Sequence, residues 1–182
     1  MRLRQLTESP RSVRNNNPGN IRISKADWQG KVGNDGEFEI FDTPEMGARA
    51  MAKLLTNYQR RHGLKTVNSI INRWAPSSDN NDPVGYAKRV ANSIGVDPDE
   101  EIDLRSNPEL LRNMMSHMIN VEGGRGANKY FTNDIIDSGI ALASGKPTKP
   151  TINVRDLPKQ STTRYNINVL KKAMKLNLYK EH

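Results

Sequence analysis

One carboxyl group in the sequence stands where acid–base chemistry would need it. Glu122 ends an almost wholly apolar helical run, Leu110 to Val121, and is followed by Gly123 and Gly124. The apolar helix face would partly desolvate this carboxyl, which favours the protonated form and raises the pKa. The glycines leave room for a substrate to come close. The pattern predicts a general acid for a glycosidic oxygen; the alternative is an exposed glutamate ahead of a glycine-rich helix end.

Other catalytic chemistry finds little support in the composition. The chain has no cysteine, and therefore no disulfide, thiol nucleophile or cysteine-ligated metal. The three histidines, His62, His117 and His182, are scattered, without the i, i+4 spacing of a zinc helix. There is no nucleophile-elbow pattern and no phosphate-binding glycine loop. We therefore expect a carboxyl-based site with no metal and no cofactor.

The most distinctive stretch runs from Arg14 to Arg22 and consists mainly of turn-forming residues. Its asparagines can bond the nearby backbone, while Pro18 fixes φ and Gly19 accepts a positive φ. Alternating runs at 21–23 and 38–41, with a Gly/Asn/Asp turn before the second, predict a β-hairpin or small sheet. A purely structural hairpin is the alternative to a functional one.

Helix signals follow the hairpin. Apolar residues at helical spacing come after five cap-like positions, Thr43, Thr66, Pro83, Asn107 and Thr132. The predicted fold is mainly α (α+β), a helical domain with a small β-hairpin near the N-terminus.

The net charge of +8 is concentrated at the two ends of the chain. Residues 1–14 have a net charge of +3 and residues 145–182 of +7, whereas residues 15–144 have −2. We expect an N-terminal arm at 1–13, one domain at 14–144 and a basic C-terminal arm with a short helix at 145–182. Nucleic-acid binding is possible but not favoured, since a globular domain that recognises nucleic acid would carry its basic residues on the folded domain itself. No run is long enough to span a membrane, and no signal peptide is expected.

Several motifs resemble those of a family of phage virion proteins linked to peptidoglycan degradation. The resemblance covers about residues 14–125 and is carried by Arg14 to Arg22, Trp28-Gln29-Gly30, Phe38 to Phe41, Gly47-Ala48-Arg49-Ala50 and Ile71-Asn72-Arg73-Trp74-Ala75-Pro76. The family's His-Glu-Asn-Gly segment reads Val121-Glu122-Gly123-Gly124 here, so the glutamate is kept. An acidic dipeptide of the family corresponds to Asp79-Asn80.

The order of elements also resembles bacterial glucosaminidases of the lysozyme superfamily. In those enzymes a helix ending in Glu-Ser-Gly-Trp-Gly precedes an asparagine-led strand, a Trp-x-Gly turn and a β-hairpin. Here Asn17 to Arg22, Trp28 to Gly30 and the hairpin keep that order, while the glutamate-bearing helix comes last. The match fits a lysozyme-like fold if the chain is circularly permuted.

The resemblance implies a site in which Glu122 is the acid and the hairpin forms the facing wall. If a hairpin carboxyl takes part in catalysis, Glu39 is the first choice and Glu37 the second, since one of them should point into the groove. The expected substrate-binding residues lie in the wall and around the acid: Asn17, Asn20, Trp28, Glu37, Asn80, Tyr86, Gly123 and Gly124.

The expected function is a virion-associated enzyme of a bacteriophage, in the tail or internal core. It would cut the glycan strand of peptidoglycan in the bacterial cell wall or periplasm and so aid genome entry, with the C-terminal arm anchoring it to other virion proteins. A single well-supported catalytic carboxyl without a clear partner favours a lytic transglycosylase over a muramidase. In a transglycosylase the substrate's own hydroxyl can replace the base that activates water in hydrolysis. Two alternatives remain: a peptidoglycan endopeptidase, and a catalytically silent structural component of the virion.

Overall fold

The computed structural model describes residues 9–124 and 126–146. The described part contains six α-helices: α1 (Arg11–Arg14), α2 (Pro44–His62), α3 (Val67–Trp74), α4 (Pro83–Ile94), α5 (Pro108–Gly123) and α6 (Asn133–Ala143). Short 3₁₀ turns at Ser77–Asp79 and Ala127–Lys129 connect some of them. Strands β1 (Lys31–Asn34) and β2 (Glu39–Phe41) pair antiparallel. The predicted mainly α fold with a small hairpin near the N-terminus is confirmed.

Four of the six helices begin where a short polar side chain caps them, whereas α1 and α6 have no side-chain cap bond. The hydroxyl of Thr43 accepts a hydrogen bond from the Met46 amide at 3.3 Å. Thr66 and Ser69 form a reciprocal capping box at the start of α3. At the other end of α2, Gly63 takes a left-handed conformation with φ of 65° and ends the helix. Helix boundaries in this protein therefore follow from local sequence.

The core forms around α2 and α5. Helix α2 packs against α6, while α4 lies between α3 and α5. The inner face of α5 is fully apolar and buried, with Leu111, Met114, Met115, Met118 and Ile119. Since Glu122 lies one turn beyond that face, burial of α5 fixes the position of its carboxyl. No helix within the described residues is both long and apolar enough to cross a bilayer.

The hairpin differs from the prediction in its first strand. Residues 31–34 pair with β2, whereas residues 21–23 form a single bridge, between Arg22 and Phe38. Two backbone hydrogen bonds accompany that bridge, Glu39 N to Ile21 O at 2.9 Å and Ile23 N to Glu37 O at 3.0 Å. The predicted pairing of the runs 21–23 and 38–41 is therefore present only as this bridge, and the first strand of the hairpin is 31–34.

The predicted N-terminal arm is also shorter than expected. Residues 11–14 form α1, which packs against α5, and Ser12 is buried there. Arg11 bonds Asp35 at 2.6 Å and Glu37 at 2.7 Å, and its guanidinium holds the pKa of Asp35 well below the usual range. The arm prediction is therefore wrong for residues 11–13. Residues 1–8 and all of the predicted C-terminal arm beyond Lys146 lie outside the described residues.

Two glycines let the 14–22 segment pack closely onto the helices. A Cβ at Gly47 of α2 would overlap the carbonyl oxygen of Asn16. A Cβ at Gly19 would lie 2.8 Å from Cη2 of Trp74, inside van der Waals contact. The segment is therefore held directly against α2 and the last residue of α3.

Candidate active site

An open groove of about 450 Å³ lies between the 19–24 segment and the end of α3. Its lining combines aromatic, cationic and acidic side chains with loop backbone: Gly19, Asn20, Ile21, Arg22, Ile23, Ser24, Trp28, Phe38, Leu54, Tyr58, Arg73, Trp74, Ala75, Pro76, Asp79, Asn81 and Glu122. The predicted acid, Glu122, thus contributes to the lining of this groove.

Glu122 is held by two side-chain donors. Its Oε1 accepts the indole N–H of Trp74 at 2.9 Å and the hydroxyl of Tyr86 at 3.2 Å. Burial raises the pKa of Glu122, against the opposing effect of the hydrogen bonds from Trp74, Tyr86 and Asn20. The neutral form of this groove-lining carboxyl is therefore more readily populated than that of an exposed glutamate.

Four separate elements bring these groups together. Trp74 is the last residue of α3, Tyr86 lies on α4, and Glu122 is next to the end of α5. Asn20 comes from the N-terminal loop, with φ of 45°, and its amide donates to the backbone carbonyl of Glu122 at 3.0 Å. Sequence reasoning named Asn20, Tyr86 and Glu122, and the structure places Asn20 and Tyr86 in direct contact with Glu122. Tyr86 itself is absent from the groove lining, so it acts on the groove through the acid.

Aromatic rings form much of the rest of the groove. Trp28, named from the sequence, lines it together with Tyr58 and Trp74. Arg73 lies over the ring of Tyr58, 5.9 Å from its centroid. Flat rings beside polar groups suit the faces of sugar rings, which present apolar C–H groups next to hydroxyls.

The hairpin carboxyls do not reach the groove. Glu39 is fully buried, where Lys31 bonds it at 2.8 Å and the Ser24 amide at 3.0 Å. Glu37 is exposed but bonds Arg11 and Arg22, and it is absent from the groove lining. The expectation that one of them points into the groove is wrong, because β2 turns Glu39 into the interior and the arginines hold Glu37 outside.

Asn17 is a structural residue. It is fully buried, and its amide donates to the carbonyls of Ile21 at 3.0 Å and Glu39 at 2.9 Å. Its side-chain oxygen accepts the Ile21 amide at 2.9 Å. The expected contact of Asn17 with substrate is therefore wrong, since this side chain replaces missing strand hydrogen bonds.

Three further predicted binding residues lie beside the groove. Asn80 is exposed and absent from the lining, while its neighbour Asp79 contributes to it. A Cβ at Gly123 would lie 2.7 Å from Ala127 Cβ and 2.9 Å from Ser12 Oγ, so this glycine allows chain packing. Gly124 is exposed, with φ of 76°. The prediction that Asn80 lines the groove is wrong, and Gly123 and Gly124 are also absent from the lining.

The groove residues that sequence reasoning missed as site residues include Trp74, Tyr58, Arg73, Asp79 and Asn81. The spacing of Trp74 from Ile70 and Ile71 is that of one helical face, which predicts a core position instead. The overlooked signal is chemical: an indole N–H inside a fold requires an acceptor, and a buried carboxylate is a strong one.

The raised pKa of Glu122 predicts a pH-dependent stability difference between wild type and Glu122→Gln. Glutamine can accept the same two hydrogen bonds without ionising. Below the ordinary value of 4.5 both states of the wild type are protonated, and the two proteins should unfold alike. Above it the carboxyl ionises in the unfolded state before it does so in the folded state, so the free energy of unfolding of the wild type falls. The fall ends once the pH has passed the pKa of the folded state, and it amounts to about 1.4 kcal/mol for each unit by which the folded and unfolded pKa values differ. Melting temperatures from pH 4 to 8 test this, and a pH-independent difference would contradict it.

The fold and this groove define a class: a mainly helical protein whose helices converge on a partly buried glutamate beside aromatic rings. No protein-family model matches the chain. It is 37% identical to Protein P5 of Pseudoalteromonas phage PM2 over 136 residues, which are 72% of this chain and 81% of that protein. The chain belongs to the family of that phage protein.

Proposed function

We propose that this protein is a virion-associated phage enzyme that cleaves the glycan strand of peptidoglycan by general-acid catalysis. The observation that carries the proposal is Glu122, a carboxyl of raised pKa that opens into an aromatic groove. A glycosidic oxygen leaves only when it is protonated, and a protein carboxyl can do this near neutral pH when its pKa is raised. The lysozyme-like resemblance supports this reaction, while the phage relative supports only the phage origin of the protein.

The contacts of Glu122 suggest how the proton is held. Trp74 and Tyr86 both donate to Oε1, so the proton of the neutral acid belongs on Oε2. After transfer, the same two donors stabilise the carboxylate that forms, since hydrogen bonds to a charged acceptor are stronger than to a neutral one. A sugar stacked on Trp28 or Trp74 would present its glycosidic oxygen to this acid.

The lytic-transglycosylase route is the better supported of the two glycan cleavages. Hydrolysis needs a second carboxylate about 5–9 Å away, as nucleophile or base. Glu39 and Glu37 are absent from the lining, so among the described residues Asp79 is the remaining carboxyl there. In a transglycosylase the substrate's own hydroxyl attacks, and Glu122 alone supplies the acid and later the base.

We place the protein in the virion because its relative is a phage protein. Peptidoglycan would then be met in the cell wall or periplasm during genome entry. Other virion proteins in the tail or internal core are the proposed partners, reached through the basic residues after 145.

The reaction can be tested by incubating the purified full chain with peptidoglycan and analysing the products by mass spectrometry. We expect clearing and 1,6-anhydro-muramyl ends. Asp79→Asn should keep the rate within about tenfold of wild type, because a transglycosylase needs no second carboxylate.

Three outcomes would contradict this route. Reducing ends together with a loss of about a hundredfold or more in Asp79→Asn would assign hydrolysis with Asp79 as partner. Cleaved peptide stems with intact glycan would indicate an endopeptidase. No clearing by a folded protein would indicate a structural virion component.

A further inference from the structure

A cluster of basic side chains lies outside the groove on α2. Lys53, Arg60 and Arg61 line a concavity of about 320 Å³ together with Arg105, from the loop before α5. The remaining lining is Thr56 and Asn57, so no acidic residue takes part. Four cations face one small space.

These cations have little internal compensation. Within the described residues, the ion pairs of arginine and lysine involve Arg11, Arg22, Lys31, Lys65 and Arg112. Arg60 bonds only the neutral Asn57, at 3.1 Å. The cluster is therefore open to an external anion.

Local structure does not account for the cluster. Cations in the last turn of a helix complement its dipole, which would explain Arg60 and Arg61. Lys53 lies two turns earlier and Arg105 on another element, so the dipole does not explain them. The nearby carboxyl of Asp103 is bound by the hydroxyl of Ser106 at 2.7 Å and makes no ion pair with Arg105 in the described structure.

A second concavity continues the basic surface. It measures about 360 Å³, shares Thr56 and Arg105 with the first, and adds Ser106, Ser144 and Lys146. The rest of its lining is apolar: Leu104, Pro108, Leu111, Ile140 and Ala143. No acidic residue lines it either. We call the five cations Lys53, Arg60, Arg61, Arg105 and Lys146 the basic track. Two adjoining hollows that hold five cations between them suit a chain of anions better than a single ion.

We propose that the basic track binds the phosphodiester backbone of nucleic acid without reading its sequence. Guanidinium groups match phosphate oxygens in paired hydrogen bonds, and hydroxyl and amide side chains commonly join them. No aromatic side chain lines either hollow, so the track offers no surface on which bases could stack.

Charge and surface chemistry favour nucleic acid over a lipid surface. Residues 15–144 are slightly acidic overall, so the track is a local feature and not part of a general positive surface. The large apolar side chains that the structure leaves exposed are Ile23, Val32, Val84, Val121 and Tyr130, and none of them lines the track. A membrane would therefore meet cations without an apolar anchor.

The test uses the full chain and a labelled duplex DNA of arbitrary sequence, with binding followed by fluorescence anisotropy across a salt series. The variant Arg61→Gln/Arg105→Gln removes two track cations. Lys25→Gln/Lys88→Gln is the matched control, because both lysines are exposed, lie outside the track and groove, and remove the same charge. We expect the track variant to lower the salt slope by about 2 and the affinity about tenfold, while the control changes little.

An equal loss of DNA affinity in both variants would show that binding depends on net charge alone, and this would overturn the proposal. Wild-type affinity in the track variant would do the same. Variant-sensitive binding to vesicles of anionic phospholipid, without variant-sensitive DNA binding, would assign the track to a lipid headgroup instead. Melting temperatures of all three proteins verify folding, and the result stands independently of any activity on peptidoglycan.

Discussion

Replacing Glu122 with glutamine should lower the rate of peptidoglycan cleavage by about 10²–10⁴-fold, the usual contribution of a general acid. Glutamine keeps the size of the side chain and an oxygen that can accept from Trp74 and Tyr86, but its amide group is too weak an acid to protonate the substrate. The measurement is the initial rate of clearing of a peptidoglycan suspension by equal amounts of folded protein.

Glu109→Gln is the matched control for this experiment. Glu109 lies in the first turn of the same helix, with an exposed side chain 3.7 Å from Arg112. We expect its rate to equal that of wild type, since exposed pairs of this kind contribute little. Clearing by Glu122→Gln at the wild-type rate would remove Glu122 from the mechanism. If Glu122→Gln is also the more stable protein at neutral pH, as its raised pKa predicts, unfolding cannot explain a lost activity.

Asn17→Ala should lower the free energy of unfolding by about 3–5 kcal/mol, the largest stability effect that we expect. The substitution removes three buried hydrogen bonds. It leaves the carbonyl of Glu39 and the amide of Ile21 without this partner, while the carbonyl of Ile21 keeps its bond from the Glu39 amide. Each buried polar group left unpaired costs about 1–3 kcal/mol. Urea denaturation followed by circular dichroism measures the change.

Asn113→Ala is the control for the asparagine effect. Asn113 is exposed on α5, and its substitution should change the free energy of unfolding by less than about 0.5 kcal/mol. A stable Asn17→Ala protein with weakened substrate binding would instead support the role in substrate contact that the sequence suggested. The two experiments thus separate the acid from the scaffold that holds the groove.

The sequence predicted those features that depend on short-range chemistry. Caps at Thr43 and Thr66 mark helices because the hydroxyl bonds an amide within the next turn. The raised pKa of Glu122 follows from the apolar face that precedes it on its own helix. Both forecasts need only a few consecutive residues.

The predictions about Glu37 and Glu39 failed because side chains alternate between the two faces of a strand, and the sequence does not say which face packs into the protein interior. Lys31 covers Glu39, and Arg11 and Arg22 hold Glu37; each contact depends on how the hairpin and α1 meet. Sequence spacing carries no information about such pairings.

By itself, then, the sequence determined the five helices α2 to α6, the presence of a small β element and the position of one acid at the end of an apolar helix. Only the tertiary structure decided what surrounds that acid. Trp74 and Tyr86 lie 48 and 36 residues from Glu122 along the chain, yet both donate to its Oε1. Their convergence depends on how α3, α4 and α5 pack, and that packing is set by side chains of the core distributed over the whole domain.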